Sequence, residues 1–229
     1  MTARGPGRRI YRNLPNIISI LGVLPLVLLL LDDGFAYLCA LIVFNNFMDD
    51  LDGILARTLR LRSAFGADLD NVCDAVAHTL IAMVVGVHYG GVVGVASLIA
   101  TVAILVRVVQ RLGPSLVSGT GTPTNELMRH LLLLSILGGL YGWDITACLV
   151  VALLLNSVSM HVPFAMPHLV RAWAGSTTAV MSVNAALVLA WGVPATAPFV
   201  AAAFFGTYLY SFAVGALGWI GRRNRAGQE

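Results

Sequence analysis

The sequence predicts an all-α bundle of about eight membrane-spanning helices with both termini on the cytoplasmic side. Three observations carry that expectation. Hydrophobic residues make up 58% of the 229-residue chain and charged residues 11%, whereas a soluble domain carries about 25% charged residues. Apolar runs such as Leu24–Leu31 and Leu149–Leu155 recur along the whole chain, without the alternation of a membrane barrel strand. All 14 cationic side chains are arginine, and an eight-span path places every one of them on the side of the N-terminus.

The elements follow in order. Residues 1–13 form a basic tail in which Arg4, Arg8, Arg9 and Arg12 surround the helix-breaking Gly5-Pro6-Gly7 and suit contact with anionic headgroups. The tail runs into Leu14–Leu31, a first span interrupted by Pro25, with no small-residue cleavage site. Asp32-Asp33-Gly34 is a turn. The second span reaches from Phe35 to about Leu55, and Arg57, Arg60 and Arg62 follow it. The third runs from about Ala67 to Tyr89 and closes at Gly90-Gly91; the fourth is Val92–Leu112, ending on Arg107 and Arg111.

A Gly/Ser/Thr/Pro loop, Gly113–Thr124, leads to spans five and six, Asn125–Gly142 and Asp144–Phe164. A polar connection over Ala165–Gly175 holds His168 and Arg171. Ser176–Gly192 and Ala197–Ile220 are spans seven and eight, and residues 221–229 form a second basic tail. The membrane domain is thus 14–220. Asp32, Asp33 and Asp144 fall in the outer turns, which hold no arginine. The net charge of +3 reads as topology and contact with anionic lipid, so nucleic acid is not an expected partner. Cys39, Cys73 and Cys148 are scattered through apolar segments, without a CxxC pair or a disulfide framework.

One stretch departs from this apolar character. Asp49, Asp52, Asp70 and Asp74 are four of the eleven acidic residues, and each lies beside a long apolar run. A carboxylate at the bilayer centre costs about 2.5–3.5 kcal/mol on an insertion scale. The predicted topology instead puts all four at the cytoplasmic mouth. Residues three or four apart share a helix face, so Asp49/Asp52 and Asp70/Asp74 can converge from two helix ends joined by a short turn. Hard carboxylate oxygens suit Mg²⁺ or Mn²⁺, and four are enough for two ions about 3.5–4 Å apart, an arrangement that promotes phosphoryl displacement. Gly53, Ala56 and Gly66 lie on the same faces and leave room for a bulky group; Arg57, with Arg60 and Arg62 nearby, offers forked donors for phosphate. Asp50 and Asp68 fall off those faces and are equally read as solvated loop charges.

The pattern Asp49-x2-Asp52-Gly53-x2-Ala56-Arg57-x8-Gly66-x3-Asp70-x3-Asp74 resembles the complete signature of the CDP-alcohol phosphatidyltransferases. The opening Leu14-Pro15-Asn16-Ile17-Ile18-Ser19 is similar to that family's first-span start. The resemblance implies a multi-pass enzyme of the cell (inner) membrane, with its active site facing the cytoplasm. It would transfer a phosphatidyl group from CDP-diacylglycerol to an alcohol and release CMP. Asp49, Asp52 and Asp70 would bind the two divalent cations, with Asp74 completing the metal site and serving as the catalytic general base. Gly53, Ala56, Arg57 and Gly66 would line the donor pocket. The resemblance also implies a homodimer. A divalent-cation transporter using the same carboxylates is the rival class, but it would need them near the bilayer midplane.

The signature does not name the acceptor. Thr122-Pro123-Thr124 and Ser157–Pro163 resemble segments of bacterial and archaeal phosphatidylserine synthases, which points to L-serine. Asn125-Glu126 replaces the proline and small residue of that segment, and Asp70-Asn71 resembles phosphatidylcholine synthases. Choline, inositol or its phosphate, and glycerol 3-phosphate therefore stand as alternatives. Arg107 and Arg111, at i and i+4, could grip an acceptor carboxylate or phosphate, or serve as snorkelling anchors. Glu126 could receive an acceptor's ammonium, or cap its helix and pair with Arg129. His78, one turn beyond Asp74, reads as packing near the site.

Overall fold

A computed structural model describes residues 10–112, 121–169 and 177–226. Arg4, Arg8, Arg9, Arg171 and residues 113–120 lie outside the described residues. Within them the chain is helical and no strand occurs. Helix α1 (Leu14–Val23) passes into a 3₁₀ helix, Leu24–Leu30. The change falls at Pro25, whose ring removes the N–H that an α-helix would bond. A 3₁₀ turn over Gly34–Tyr37 then starts α2 (Leu38–Thr58). An added Cβ at Gly34 would sit 2.6 Å from the carbonyl oxygens of Leu28 and Leu29, so only glycine lets the chain fold back there.

A tight connection in which Arg60 adopts a φ of 54° leads to α3 (Ala64–Tyr89). Ser63 caps α3, its Oγ accepting from the Gly66 N–H at 3.0 Å. Gly90 and Gly91, with φ of 64° and 47°, reverse the chain into α4 (Gly91–Leu112). Helices α5 (Asn125–Tyr141), α6 (Thr146–Ser159), α7 (Thr177–Gly192) and α8 (Ala197–Ala226) complete the bundle. Asp144 Oδ1 accepts from the Thr146 N–H at 3.0 Å and starts α6.

Two boundaries differ from the sequence reading. Helix α6 stops at Ser159 rather than Phe164, because Pro163 and Pro167 cannot donate to a continuing ladder. Helix α8 runs on to Ala226, six residues past the expected end at Ile220. Arg222, Arg223 and Arg225 therefore lie in its last turns, where cations complement the helix dipole, and the Arg223 guanidinium sits 5.4 Å from the Trp219 ring centre. Among the described residues, three helical segments, Ala64–Tyr89, Gly91–Leu112 and Pro194–Arg225, are long and apolar enough to cross a membrane. Leu14–Leu30, Thr146–Ser159 and Thr177–Gly192 are shorter apolar helices.

Helix α2 is central, packing against α1, α3, α5 and α7, while α3 and α4 form a long hairpin. Helix α4 is built as lipid-immersed helices are. Val92, Val95, Ile99, Val102 and Val109 are exposed, and Ala96, Ser97, Ala100 and Ala103 face inward. Small residues at the contact let two backbones approach, and large ones meet the hydrocarbon. Leu26, Leu38, Ile42, Ile81, Leu131 and Leu132 are fully buried in the apolar interior. Toward the end where α2 meets α3, that interior becomes polar: Asn45, Asn46, Asp52, His78, Asn125, Glu126 and Arg129 are all buried.

Candidate active site

The last turns of α2 carry Asp49 and Asp52, and the first turns of α3 carry Asp70 and Asp74. The helical offsets turn each pair onto one face, and the short connection brings the two faces together. Carboxylate oxygens of Asp49, Asp70 and Asp74 lie within 4.8 Å of one another. Asp52 is 5% exposed, and its Oδ2 accepts from the hydroxyl of Ser19 on α1. All four aspartates border one small cavity between α1, α2 and α3. Several carboxylates this close repel one another. A divalent cation relieves that repulsion, and an all-oxygen donor set fits Mg²⁺ or Mn²⁺ in chemistry and charge.

A larger cavity of about 390 Å³ shares Ser19, Asp52 and Asp70 with the small one. Gly53, Ala56, Arg57 and Gly66 all line it, together with Pro15, Asn16, Arg62 and Ser63. Its size falls in the range of about 300–1,000 Å³ usual for ligand pockets. The two glycines serve it differently. A Cβ on Gly53 would meet nothing within 4 Å, whereas one on Gly66 would lie 3.0 Å from Asn16 Oδ1 and from Ser63 Oγ. Gly53 thus keeps space open, and Gly66 lets the start of α3 close on α1. Arg57 donates from Nε to the Gly53 carbonyl at 3.1 Å, which holds its guanidinium at the cavity wall.

The three residues considered for the acceptor are placed apart. Arg107 is buried and donates to two carbonyls, to Met160 O at 2.7 Å and to Gly121 O at 3.1 Å. Glu126 is buried against Arg129, with Nη1 to Oε1 at 2.7 Å. Arg129 also reaches Asn46 Oδ1 at 3.3 Å. Arg111 is exposed and donates to Asn71 Oδ1 at 3.1 Å. Because Asn71 follows Asp70, this places Arg111 at the edge of the site.

Asp50 points away from the cluster and accepts from Asn184 of α7 at 2.7 Å and from Asn46 at 3.4 Å. Asp68 is exposed. His78 is buried, its Nδ1 sharing a 2.8 Å hydrogen bond with Thr124 Oγ1 and its Nε2 lying 3.9 Å from Asp74 Oδ1.

Several polar residues at the site were not singled out from sequence. Ser19, which meets Asp52, was named in the sequence only as the end of the family-like start Leu14–Ser19, with no role of its own. Asn16 and Ser63 also line the larger cavity, the Ser63 cap being the one local signal between them, whereas Arg62, grouped with Arg57 as a phosphate donor in the sequence, lines it as expected. Asn125 donates to Asp49 Oδ2 at 2.6 Å across 76 residues of chain, and no local pattern announces that contact.

Residues 12–137 match the family model described as CDP-alcohol phosphatidyltransferase, a segment containing every residue of the aspartate motif. The chain is also similar to an uncharacterized protein of Aquifex aeolicus (strain VF5). The two are 36% identical over 85 residues, which is 34% of this chain and 42% of the relative. That match therefore spans less than half of the relative's length. With more than half of its residues inside the family match, the chain belongs to the CDP-alcohol phosphatidyltransferase family, whose members are transferases for substituted phosphate groups.

Proposed function

We propose that this protein transfers a phosphatidyl group from CDP-diacylglycerol to the hydroxyl of a small polar alcohol, releasing CMP. The observation that carries this reading is the junction of two spaces. The cavity bounded by the four aspartates meets the larger cavity bounded by Gly53, Ala56, Arg57 and Gly66, and Asp52 and Asp70 belong to both. A diphosphate lying across that junction would have carboxylate-bound cations on one side and a guanidinium on the other.

Asp49, Asp52, Asp70 and Asp74 would hold two divalent cations, Mg²⁺ or Mn²⁺. When bound, such ions neutralise charge on the diphosphate and on departing CMP. The chain's own residues supply the remainder. Arg57 forks onto a phosphate oxygen, and Gly53 admits the nucleotide against the backbone of α2. Asp74 takes the acceptor's hydroxyl proton as the oxygen attacks the lipid-linked phosphorus. Arg111, at the site edge, is the exposed cation that can meet an acceptor carboxylate or phosphate. Arg107 and Glu126 are instead engaged by the Met160 and Gly121 carbonyls and by the Arg129 guanidinium, which leaves Arg111 as the acceptor contact of the three.

The acceptor we favour is L-serine, on the resemblance of Thr122–Thr124 and Ser157–Pro163 to serine-transferring relatives. The setting is a multi-pass protein of the inner membrane with the carboxylates and both termini facing the cytoplasm. The arginine distribution supports that orientation, and family resemblance supports a homodimer. The test is purified protein incubated with CDP-diacylglycerol, Mg²⁺ or Mn²⁺, and labelled serine, inositol, glycerol 3-phosphate or choline. CMP release with label passing from serine into lipid is the expected result. Label passing from another alcohol would reassign the acceptor, and no CMP release with any of them would overturn the transferase reading.

A further inference from the structure

The aspartate motif leaves open what fixes Asp49. Asn125, the first residue of α5, is 3% exposed and donates from Nδ2 to Asp49 Oδ2 at 2.6 Å. A carboxylate accepts hydrogen bonds and cannot donate them, so the NH₂ end of the amide must face Asp49. That choice fixes the other end as well. Asn125 Oδ1 is buried and meets no hydrogen-bond partner among the described residues. Leaving a buried carbonyl oxygen unmatched costs free energy, and the amide accepts that cost in the orientation that serves Asp49.

The contact is not a cap of its own helix. Thr124, at the N-cap of α5, makes no capping hydrogen bond, and its hydroxyl instead meets His78 on α3 at 2.8 Å. Two consecutive side chains therefore anchor the start of α5 across the bundle, Thr124 to α3 and Asn125 to α2. Asn125 also stands where the resembling serine-transferring segment has proline, which has no side chain able to make this bond.

We propose that Asn125 is a positioning residue that holds Asp49 in the orientation needed to bind a divalent cation with Asp70 and Asp74. This rests on the cation-dependent reading of the site. By occupying one face of Oδ2, the amide removes the rotational freedom that Asp49 would otherwise lose on binding the ion. Outer partners of metal ligands commonly set affinity by about 10–100-fold.

The experiment measures Mn²⁺ binding to the purified protein in the absence of lipid substrates, from the loss of the free-ion electron paramagnetic resonance signal. Wild type, Asn125→Ala, Asn125→Ser and Asn184→Ala are compared, with melting temperatures taken in EDTA. Both Asn125 variants should bind Mn²⁺ at least about tenfold more weakly while melting near wild type. Asn184→Ala, which removes the shorter of the two amide hydrogen bonds on neighbouring Asp50, should keep the wild-type Mn²⁺ affinity. Unchanged Mn²⁺ affinity in the Asn125 variants, an equal loss in Asn184→Ala, or a wild type that binds no Mn²⁺ would overturn the proposal. Failure of both Asn125 variants to fold would overturn it too, by making the residue structural. Mn²⁺ affinity that depends on Asn125 in a protein releasing no CMP would sink the transferase reading alone. An active enzyme whose Mn²⁺ affinity ignores Asn125 would do the reverse.

Discussion

Gly53 on α2 and Gly86 on α3 are both helical glycines, yet their surroundings are opposite. A Cβ at Gly53 would meet nothing within 4 Å; at Gly86 it would lie 2.5 Å from Ser97 Cβ on α4. The α3–α4 hairpin uses the missing side chain to bring two helices together. The carboxylate end uses it to leave a cavity open beside the aspartates. Around Gly86 the nearest foreign atoms belong to two small residues of α4, Ser97 and Gly94. Around Gly53 the cavity is ringed by charge. At these two positions the distance to the nearest foreign atom tells a closed helix contact from an open cavity wall.

That contrast can be broken at several points. The largest effect should come from removing divalent cations. Dialysis against EDTA should abolish CMP release, and Mg²⁺ or Mn²⁺ should restore it; turnover that survives chelation would remove the cation from the carboxylate end. Next comes Asp74→Asn, which should lower CMP release by about 10²–10⁴-fold with an unchanged circular dichroism spectrum.

Gly53→Val tests the open side of the comparison. The KM for CDP-diacylglycerol should rise about tenfold, equivalent to about 1.4 kcal/mol, while the melting temperature holds. Gly86→Ala tests the closed side: overpacking should cost about 1–3 kcal/mol of stability, read by denaturation, with KM unchanged. If the two variants exchanged phenotypes, the distinction would collapse. The smallest effect is expected of Arg111→Ala. Exposed ion pairs contribute about 0.2–1 kcal/mol, so acceptor KM should rise only a few-fold while donor KM stays put.

The reach of the sequence follows the range of the forces involved. The convergence of Asp49, Asp70 and Asp74 was legible because helical offsets of three and four act within a turn. The Ser63 cap and the Gly90-Gly91 reversal are likewise local. Arg107 was not legible. Whether an arginine at a helix end snorkels or turns inward depends on available carbonyls, and here they belong to Met160 and Gly121, 53 and 14 residues away. Glu126 was half legible, its pairing with Arg129 at i, i+3 being local and its burial not. Asn184 on Asp50, 134 residues distant, had no sequence signal. The end of α8 was missed because the arginines were read as a tail, although cations in a last turn also prolong a helix.

The passage of α1 into a 3₁₀ helix has a consequence for reach. An α-helix rises about 1.5 Å per residue and a 3₁₀ helix about 2.0 Å. The apolar segment Leu14–Leu30 would span only about 26 Å as a regular α-helix. With Leu24–Leu30 wound as 3₁₀, it extends to about 29 Å, close to the hydrocarbon thickness of about 30 Å. Pro25 thus acts as a length adjuster, extending a short apolar segment without added residues. A variant that rewinds this stretch as α-helix would be about 3–4 Å too short. If the segment spans the membrane as the sequence reading expects, the bilayer must thin around that variant, at a fraction of a kcal/mol per ångström, and activity should fall most in long-chain lipids.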